Sequence, residues 1–254
     1  LEDITCLSSS LCLIVGGSGA FGAGDGIILR SQNGGDSWQT VPQIFNVFST
    51  IDCFDATTCV AAGWNGVIYV SENAGSSWRS ATAHTTSYFS DIECPTADKC
   101  FLTSTNGRIY YSNDGYIWLD LDLGNDISLT GISCPSSHQC TAVGDNGYML
   151  TTTNGGRDWQ ENTQGFLTSK TLWICYDNYC GIEYANRINE LECFADGSCL
   201  AVCHEGTYFL GDTLYPSWPS YKINTGQNLL GLFCVEGITT NTCYAAGSGG
   251  TVWK

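Results

Sequence analysis

Cys59-Val60-Ala61-Ala62-Gly63, then Asn65-Gly66, Val67-Ile68-Tyr69-Val70 and Ser71-Glu72-Asn73-Ala74-Gly75-Ser76-Ser77-Trp78, are enough to assign an architecture. Two short runs of small, β-branched and aromatic residues flank an Asn-Gly pair, the signature of two strands joined by a tight turn. A Ser/Asn/Gly cluster closed by a tryptophan ends the second run and marks another turn. Just upstream, Ile51-Asp52-Cys53 and a polar loop lead into Cys59, so one more strand precedes the pair. A last short polar stretch follows Trp78 and completes a unit of four strands.

The same unit recurs along the chain. Cys6/Cys12, Cys53/Cys59, Cys94/Cys100, Cys134/Cys140 and Cys193/Cys199 are all C-x5-C, and Cys234/Cys243 is a longer C-x8-C version. The first cysteines of successive pairs lie 47, 41, 40, 59 and 41 residues apart. Units three and four repeat the pattern with Ile109-Tyr110-Tyr111 and Tyr148-Met149-Leu150. No segment keeps a helical period. Six four-stranded units of about 40 residues predict an all-β, six-bladed β-propeller, since a sandwich needs no such period. The expected blades span about 1–46, 47–86, 87–127, 128–187, 188–228 and 229–254 of one domain, 1–254, with an inserted hairpin at about 165–190.

The turn after the third strand carries its own motif. Ser31-x-Asn33-x-Gly35-x-Ser37-Trp38, Ser71-x-Asn73-x-Gly75-x-Ser77-Trp78 and Thr152-x-Asn154-x-Gly156-x-Asp158-Trp159 fit it fully. Ser112-x-Asp114-Gly115-Tyr116-Ile117-Trp118 is one residue short, and Gly211 to Trp218 keeps only the tryptophan. The pattern resembles the Asp-box, or BNR, repeat S-x-D-x-G-x-T-W, with Asn mostly in place of Asp and a cysteine pair added to each repeat. The resemblance covers nearly the whole chain at one copy per unit. It implies a propeller in which the Asn or Asp side chain holds the turn and the Trp anchors it to the sheet. Asp-box propellers include sialidases and other glycosidases, sortilin-type receptors and photosystem II assembly propellers of the thylakoid lumen. The stretch Cys140 to Trp159 is most similar to the last group. The motif marks a fold and not an activity, so function rests on sites.

Fifteen cysteines predict an oxidising compartment, extracellular or secreted, or else luminal or periplasmic. Each C-x5-C pair faces across a hairpin neck, where a disulfide fits, and such a small loop contributes about 2.4 kcal/mol in the chain-entropy model. Removing twelve from the total of 15 leaves Cys175, Cys180 and Cys203. Cys175 and Cys180 flank Asp177-Asn178 in the inserted segment and are expected to close that hairpin. Cys203 stands where Gly63, Gly144 and Gly247 stand in sister units. It is expected to be a buried free thiol, with an intermolecular bond or a bond to the insertion as the alternatives. The neighbouring His204 and Glu205 make no triad with it, because adjacent strand residues face opposite ways.

Composition excludes several functions. The chain carries 25 acidic and 9 basic residues, a net charge of −16, which repels nucleic-acid phosphates and anionic lipid heads. At 43% hydrophobic residues it is not a disordered acidic chain. It has no apolar run of spanning length. Leu1-Glu2-Asp3 does not read as a signal peptide, which predicts a mature or trimmed form. None of the asparagines begins N-x-Ser/Thr.

Catalytic readings are weaker. A sialidase site needs three clustered arginines, and only Arg30, Arg79, Arg108, Arg157 and Arg187 exist, with Arg79 and Arg157 at turns. Asp120, Asp122 and Asp126 lack EF-type spacing and are expected on a solvated edge strand. Three histidines offer no metal cluster, and no cofactor is called for. Trp38, Trp78, Trp118, Trp159 and Trp218 are expected as turn anchors. Trp64 and Trp173 break the pattern and are candidates for ligand contact as well as for core packing.

The ends shape the functional expectation. Ile4-Thr5-Cys6 is already a first strand, and Gly250-Thr251-Val252-Trp253-Lys254 aligns with a third strand, leaving about 23 of 24 strands. The last blade therefore reads as incomplete. Its edge is expected to stay open, to pair with trimmed sequence, or to take a strand from another copy. The candidate interface is Thr251, Val252 and Trp253, with Leu172, Trp173, Ile174 and Tyr176 of the inserted hairpin as the donor. The sequence thus predicts a non-enzymatic structural or protein-interaction propeller, extending to filaments through strand donation that does not close. The alternatives are a luminal assembly factor resembling the photosystem II propellers, and a carbohydrate-active glycosidase or lectin-like propeller.

Overall fold

The computed structural model describes residues 1–18, 25–42, 46–124, 126–161, 171–176, 179–184, 188–203, 207–212, 220–223, 228–235, 242–248 and 251–254. The chain is an all-β, six-bladed β-propeller of four-stranded sheets. It divides into two compact units, Leu1–Ser128 and Leu129–Lys254.

The first unit holds three blades, each a meander of antiparallel strands. Blade one is Asp3–Cys6 (β1), Cys12–Ser18 (β2), Asp25–Ser31 (β3) and Gln39–Thr40 (β4). Blade two is Phe48–Cys53 (β5), Cys59–Gly63 (β6), Val67–Ser71 (β7) and Arg79–Thr82 (β8). Blade three is Phe89–Thr96 (β9), Lys99–Ser104 (β10), Ile109–Ser112 (β11) and Leu119–Leu121 (β12). Its first hairpin runs past Cys94 and Cys100, so here the cysteines lie inside the strands and not at their ends.

The second unit begins with Leu129–Ser133 (β13), Cys140–Gly144 (β14), Met149–Thr152 (β15) and Gln160–Glu161 (β16). Thr171–Tyr176 (β17) and Tyr179–Tyr184 (β18) pair as a separate two-stranded sheet. Blade five is Ile188–Cys193 (β19), Ser198–Cys203 (β20), Thr207–Asp212 (β21) and Ser220–Lys222 (β22). The last sheet has three described strands, Leu229–Val235 (β23), Thr242–Gly247 (β24) and Thr251–Trp253 (β25).

Local chemistry explains the meanders. Between the second and third strands of blades two and four, Asn65 and Asn146 sit at φ +56° and +60°. Asparagine tolerates this left-handed conformation far better than a branched residue does. The first hairpin of each blade is stapled: Cys6–Cys12, Cys53–Cys59, Cys94–Cys100, Cys134–Cys140, Cys193–Cys199 and Cys234–Cys243 are disulfides. Alternation along the strands then gives each sheet two apolar faces. Leu13, Val15 and Ile28 of blade one pack on Phe48 and Ile51 of blade two. Within the second unit, Val143 and Met149 of blade four pack on Ile188, Leu191 and Ala201 of blade five.

Candidate functional site

The turn after each third strand is built by side-chain oxygens that stand in for backbone acceptors. The Ser71 hydroxyl accepts the N–H groups of Asn73 and Gly75 at 3.3 and 2.9 Å. The Asn73 carboxamide oxygen accepts Ser77 N–H at 2.9 Å, and its Nδ2 donates to Ser77 Oγ at 2.8 Å. Ser31/Asn33 with Gly35, and Thr152/Asn154 with Gly156, repeat this geometry. In blade three the shorter turn uses a carboxylate, Asp114, which accepts Tyr116 and Ile117 N–H at 2.8 and 2.9 Å, while Ser112 accepts Gly115 N–H at 2.9 Å. The indoles of Trp78 and Trp118 donate to the carbonyls of Gly75 and Gly115 at 3.2 and 2.7 Å. Trp38 and Trp159 follow the equivalent turns, and Trp218 lies outside the described residues.

The turns of blades two and three each seat on the blade before them. Gly75 has φ +76°, and a Cβ there would meet Leu13 Cδ2 of blade one at 2.3 Å. Gly115 has φ +78°, and a Cβ would meet Val60, Phe54 and Val70 of blade two at 3.2–3.3 Å. Arg30 of blade one adds a bond, its Nε donating to the carbonyl of Ala74 at 2.8 Å. Glycine is thus required twice over, by the positive φ and by the close approach. The space beside Gly115 is filled by Trp118, only 4% exposed.

The last blade differs. Among the described residues β25 pairs with β24 alone, in the register Ala245↔Trp253, Ala246↔Val252 and Gly247↔Thr251. Among the described residues no strand pairs with its outer edge, and Val252 and Trp253 are exposed by 69% and 39%. Beside this edge, between blades five and six, lies an apolar groove of about 300 Å³. Leu200, Val202, Tyr208 and Leu210 line one wall, and Leu229, Leu232, Ala245 and Trp253 the other. Leu210 is 44% exposed. An open strand edge next to an apolar groove is suited to binding an extended peptide. Thr251, Val252 and Trp253, the interface residues expected from the strand count, form β25. The groove was not read from the sequence, although aligning Leu200 and Leu210 with Val60 and Val70 in the repeat was a signal that could have found it.

The structure places the other candidates elsewhere. Cys175 and Cys180 are register partners in the β17–β18 hairpin, as are Ile174 and Gly181, Trp173 and Ile182, and Tyr176 and Tyr179. The side chains of this hairpin, including Leu172, lie outside the described residues. Cys203 is a buried free thiol opposite Ile188, the position Gly63 takes opposite Phe48. Burial pushes its thiol well above the ordinary cysteine range, which keeps it unreactive. Trp64 packs obliquely on Tyr88, with ring centroids 4.7 Å apart. Asp120 and Asp122 form ion pairs with Arg108, the second at 3.2 Å, at the edge strand β12. Among the described residues no group of three or more acidic, His or Cys side chains gathers as a metal site.

One carboxylate pair is perturbed. Asp3 Oδ2 accepts Ile51 N–H at 2.8 Å and Thr50 Oγ1 at 3.1 Å, and Asp52 Oδ2 accepts Cys94 N–H at 2.8 Å. Loss of hydration pushes the Asp52 carboxyl up to about 6, against the N–H bonds of Cys53 and Cys94, and the Asp3 charge adds to the rise. These carboxylates tie the first strands of blades one, two and three together. In the second unit neutral groups make such ties: Ser133 Oγ accepts Cys193 N–H at 3.0 Å, and Thr130 Oγ1 donates to Ile188 O at 2.6 Å.

No protein-family model matches the chain, and no curated protein matches it. Solved structures do. YCF48 bound to D1 peptide is similar with a TM-score of 0.70 at 16% identity, over 99% of this chain and 76% of that one. An ancestral GH74 enzyme is similar with a TM-score of 0.69 at 17% identity, over 98% of this chain and 38% of that one. YCF48 from Cyanidioschyzon merolae gives a TM-score of 0.60 at 14% identity, over 80% of this chain and 64% of that one. This chain thus spans well under half the length of the ancestral GH74 enzyme. At such identities the likeness is one of fold, and the fold is the six-bladed β-propeller that the strands build.

Proposed function

We propose that this chain is a non-enzymatic, secreted propeller that works through protein contacts, with the free edge of β25 as its docking strand. The observation that carries the reading is that edge: β25 pairs on one side only among the described residues, and it exposes Val252 and Trp253. An incoming strand gains main-chain hydrogen bonds there and apolar contact beside them. The disulfide in each blade supports an oxidising compartment, extracellular or lumenal, where thiols stay paired. The perturbed carboxylates Asp3 and Asp52 are engaged in ties between blades, which supports a structural and not a catalytic use.

The same edge supports self-assembly, in which the β17–β18 hairpin of another copy supplies the strand and filaments grow because the contact does not close. The fold likeness to YCF48 bound to D1 peptide supports the alternative of a luminal assembly factor, which also takes a protein segment. The deciding experiment combines negative-stain electron microscopy, with and without reductant, with hydrogen exchange. Fibres that survive reductant indicate strand donation, and fibres that dissolve indicate intermolecular disulfides. Single-chain particles whose Thr251–Trp253 amides exchange freely indicate a binding module. Slow exchange at those amides in single-chain particles would overturn the docking-strand reading.

A further inference from the structure

We infer that Trp64 and Tyr88 form a binding site for a neutral saccharide, where three loops of the first unit meet. The site is separate from β25 and does not rest on the docking-strand reading.

The internal repeat shows that the fold does not require these two rings. Trp64 opens the turn between β6 and β7. The equivalent residue is Thr105 in blade three and Asp145 in blade four, and the sequence puts His204 and Ser248 there in the next two repeats. The turn closes alike with or without an indole. Val67 N–H donates to the Trp64 carbonyl as Tyr148 N–H donates to that of Asp145, and Asn65 and Asn146 share one left-handed conformation. Tyr88 stands directly before β9, where the sister repeats carry Val47, Ser128, Arg187 and Asn228. Both aromatic residues are thus departures from the repeat, and the two departures touch. Their rings lie 4.7 Å apart with planes at 50°, so they do not stack face on face. Both residues are half-buried and keep part of their surface in solvent.

The loops hold the rings in place. Trp64 N–H donates to the Val47 carbonyl at 3.2 Å, Gly66 N–H to that of Ser87 at 2.7 Å and Thr105 N–H to that of Tyr88 at 3.0 Å. Thr85 Oγ1 accepts Ser87 N–H at 3.1 Å and the Tyr110 hydroxyl at 3.2 Å. A ligand meets rings already positioned, so little ordering entropy is lost on binding. The surroundings set the class of ligand. In a chain of net charge −16, residues 63–66, 83–88 and 104–107 contain no Asp, Glu, Lys or Arg, and His84 is their only side chain that charges near neutral pH. They carry hydroxyl and carboxamide groups instead. Thr105 Oγ1 lies 3.5 Å from the Tyr88 carbonyl, and Asn65, Thr86 and Thr105 are exposed. An ionic ligand finds no fixed counter-charge on these loops. A pyranose suits both kinds of surface at once, its C–H face against an aromatic ring and its hydroxyls toward Thr and Asn side chains.

The test titrates the intact protein with cellotetraose, maltotetraose, mannotetraose and chitotetraose, read by isothermal titration and tryptophan fluorescence. The variants are Trp64→Thr and Tyr88→Ser, which install residue types that the sister repeats carry at these positions in Thr105 and Ser128. The expected result is saturable binding of at least one tetrasaccharide, weakened at least tenfold by each variant with an unchanged melting temperature. Absence of binding by all four up to tens of millimolar would overturn the inference. Undiminished binding by Trp64→Thr would place the saccharide elsewhere and overturn it too. A fall in melting temperature for Trp64→Thr as large as that for Trp118→Ala would mark the indole as core packing, with the same consequence. Decaproline that binds and is lost in Trp64→Thr, with no saccharide bound, would assign the rings to a protein partner and overturn the saccharide reading. Exchange at the Thr251–Trp253 amides, which tests the docking strand, is read separately and should not change in either variant.

Discussion

The interface between blades two and three and the interface between blades five and six are built on the same frame, yet one is filled and the other is open. In the first, Trp118 is 4% exposed and closes a core that also buries Val70 and Tyr110. In the second, the residues aligned with Val70 and Tyr110 are Leu210 and Trp253, 44% and 39% exposed. The difference teaches that in this repeat a blade does not bury its own outer face. The turn of the following blade does so, through one glycine and one indole.

Mutations can break this comparison. Trp118→Ala should have the largest effect, lowering stability by about 3–5 kcal/mol, since it empties a dry core and removes a hydrogen-bonded anchor; chemical denaturation of the first unit measures it. Val70→Ser should cost about 2–3 kcal/mol by placing a hydroxyl against Gly115 and Trp118. Removing the Cys193–Cys199 staple by a double alanine substitution should cost about 2 kcal/mol, read as a lower denaturation midpoint. Leu210→Ser, at the position aligned with Val70, should change stability by less than about 0.5 kcal/mol, because its side chain already meets water. A cost for Leu210→Ser as large as that for Val70→Ser would mean the groove is covered in solution.

A further difference sharpens the contrast between the units. The first strands are tied by carboxylates in blades one to three and by Ser133 and Thr130 in the second unit. Asp52 holds its proton up to about 6 in the folded protein, against 3.8 for a free side chain. The folded state therefore binds more protons than the unfolded state between those values, and stability falls as pH rises through that window. The penalty is absent below about pH 4 and complete above about pH 6. It should amount to about 1–2 kcal/mol, less than the full shift implies because both carboxylates keep some contact with water. Asp52→Asn should flatten most of this slope, as followed by denaturation at pH 4 and pH 7. An unchanged slope would place the titration elsewhere.

Much of this was legible in the sequence because it is local. Asn65-Gly66 specifies a left-handed turn by itself, and Ser71, Asn73 and Gly75 hold their turn with atoms at most four residues apart. A hairpin loop of five residues brings Cys53 opposite Cys59 whatever surrounds it. Such interactions need no distant partner, so each repeat displays them in its own letters. Asp52 is the contrary case. In sequence it is one acidic residue among many, and only the approach of Cys94, 42 positions away, makes it a tie between blades. The β17–β18 hairpin shows a middle ground: its strands were readable, while its place relative to an edge was not.

The sequence by itself determined the repeat, its strands and turns, and the cysteine that stands where its sister units carry glycine, because periodicity and turn chemistry are properties of neighbours along the chain. Only the tertiary structure decided which faces are closed. Burial depends on what the next blade lays across a sheet, and Leu210 and Val70 sit at equivalent positions in their repeats while one meets solvent and the other meets Gly115.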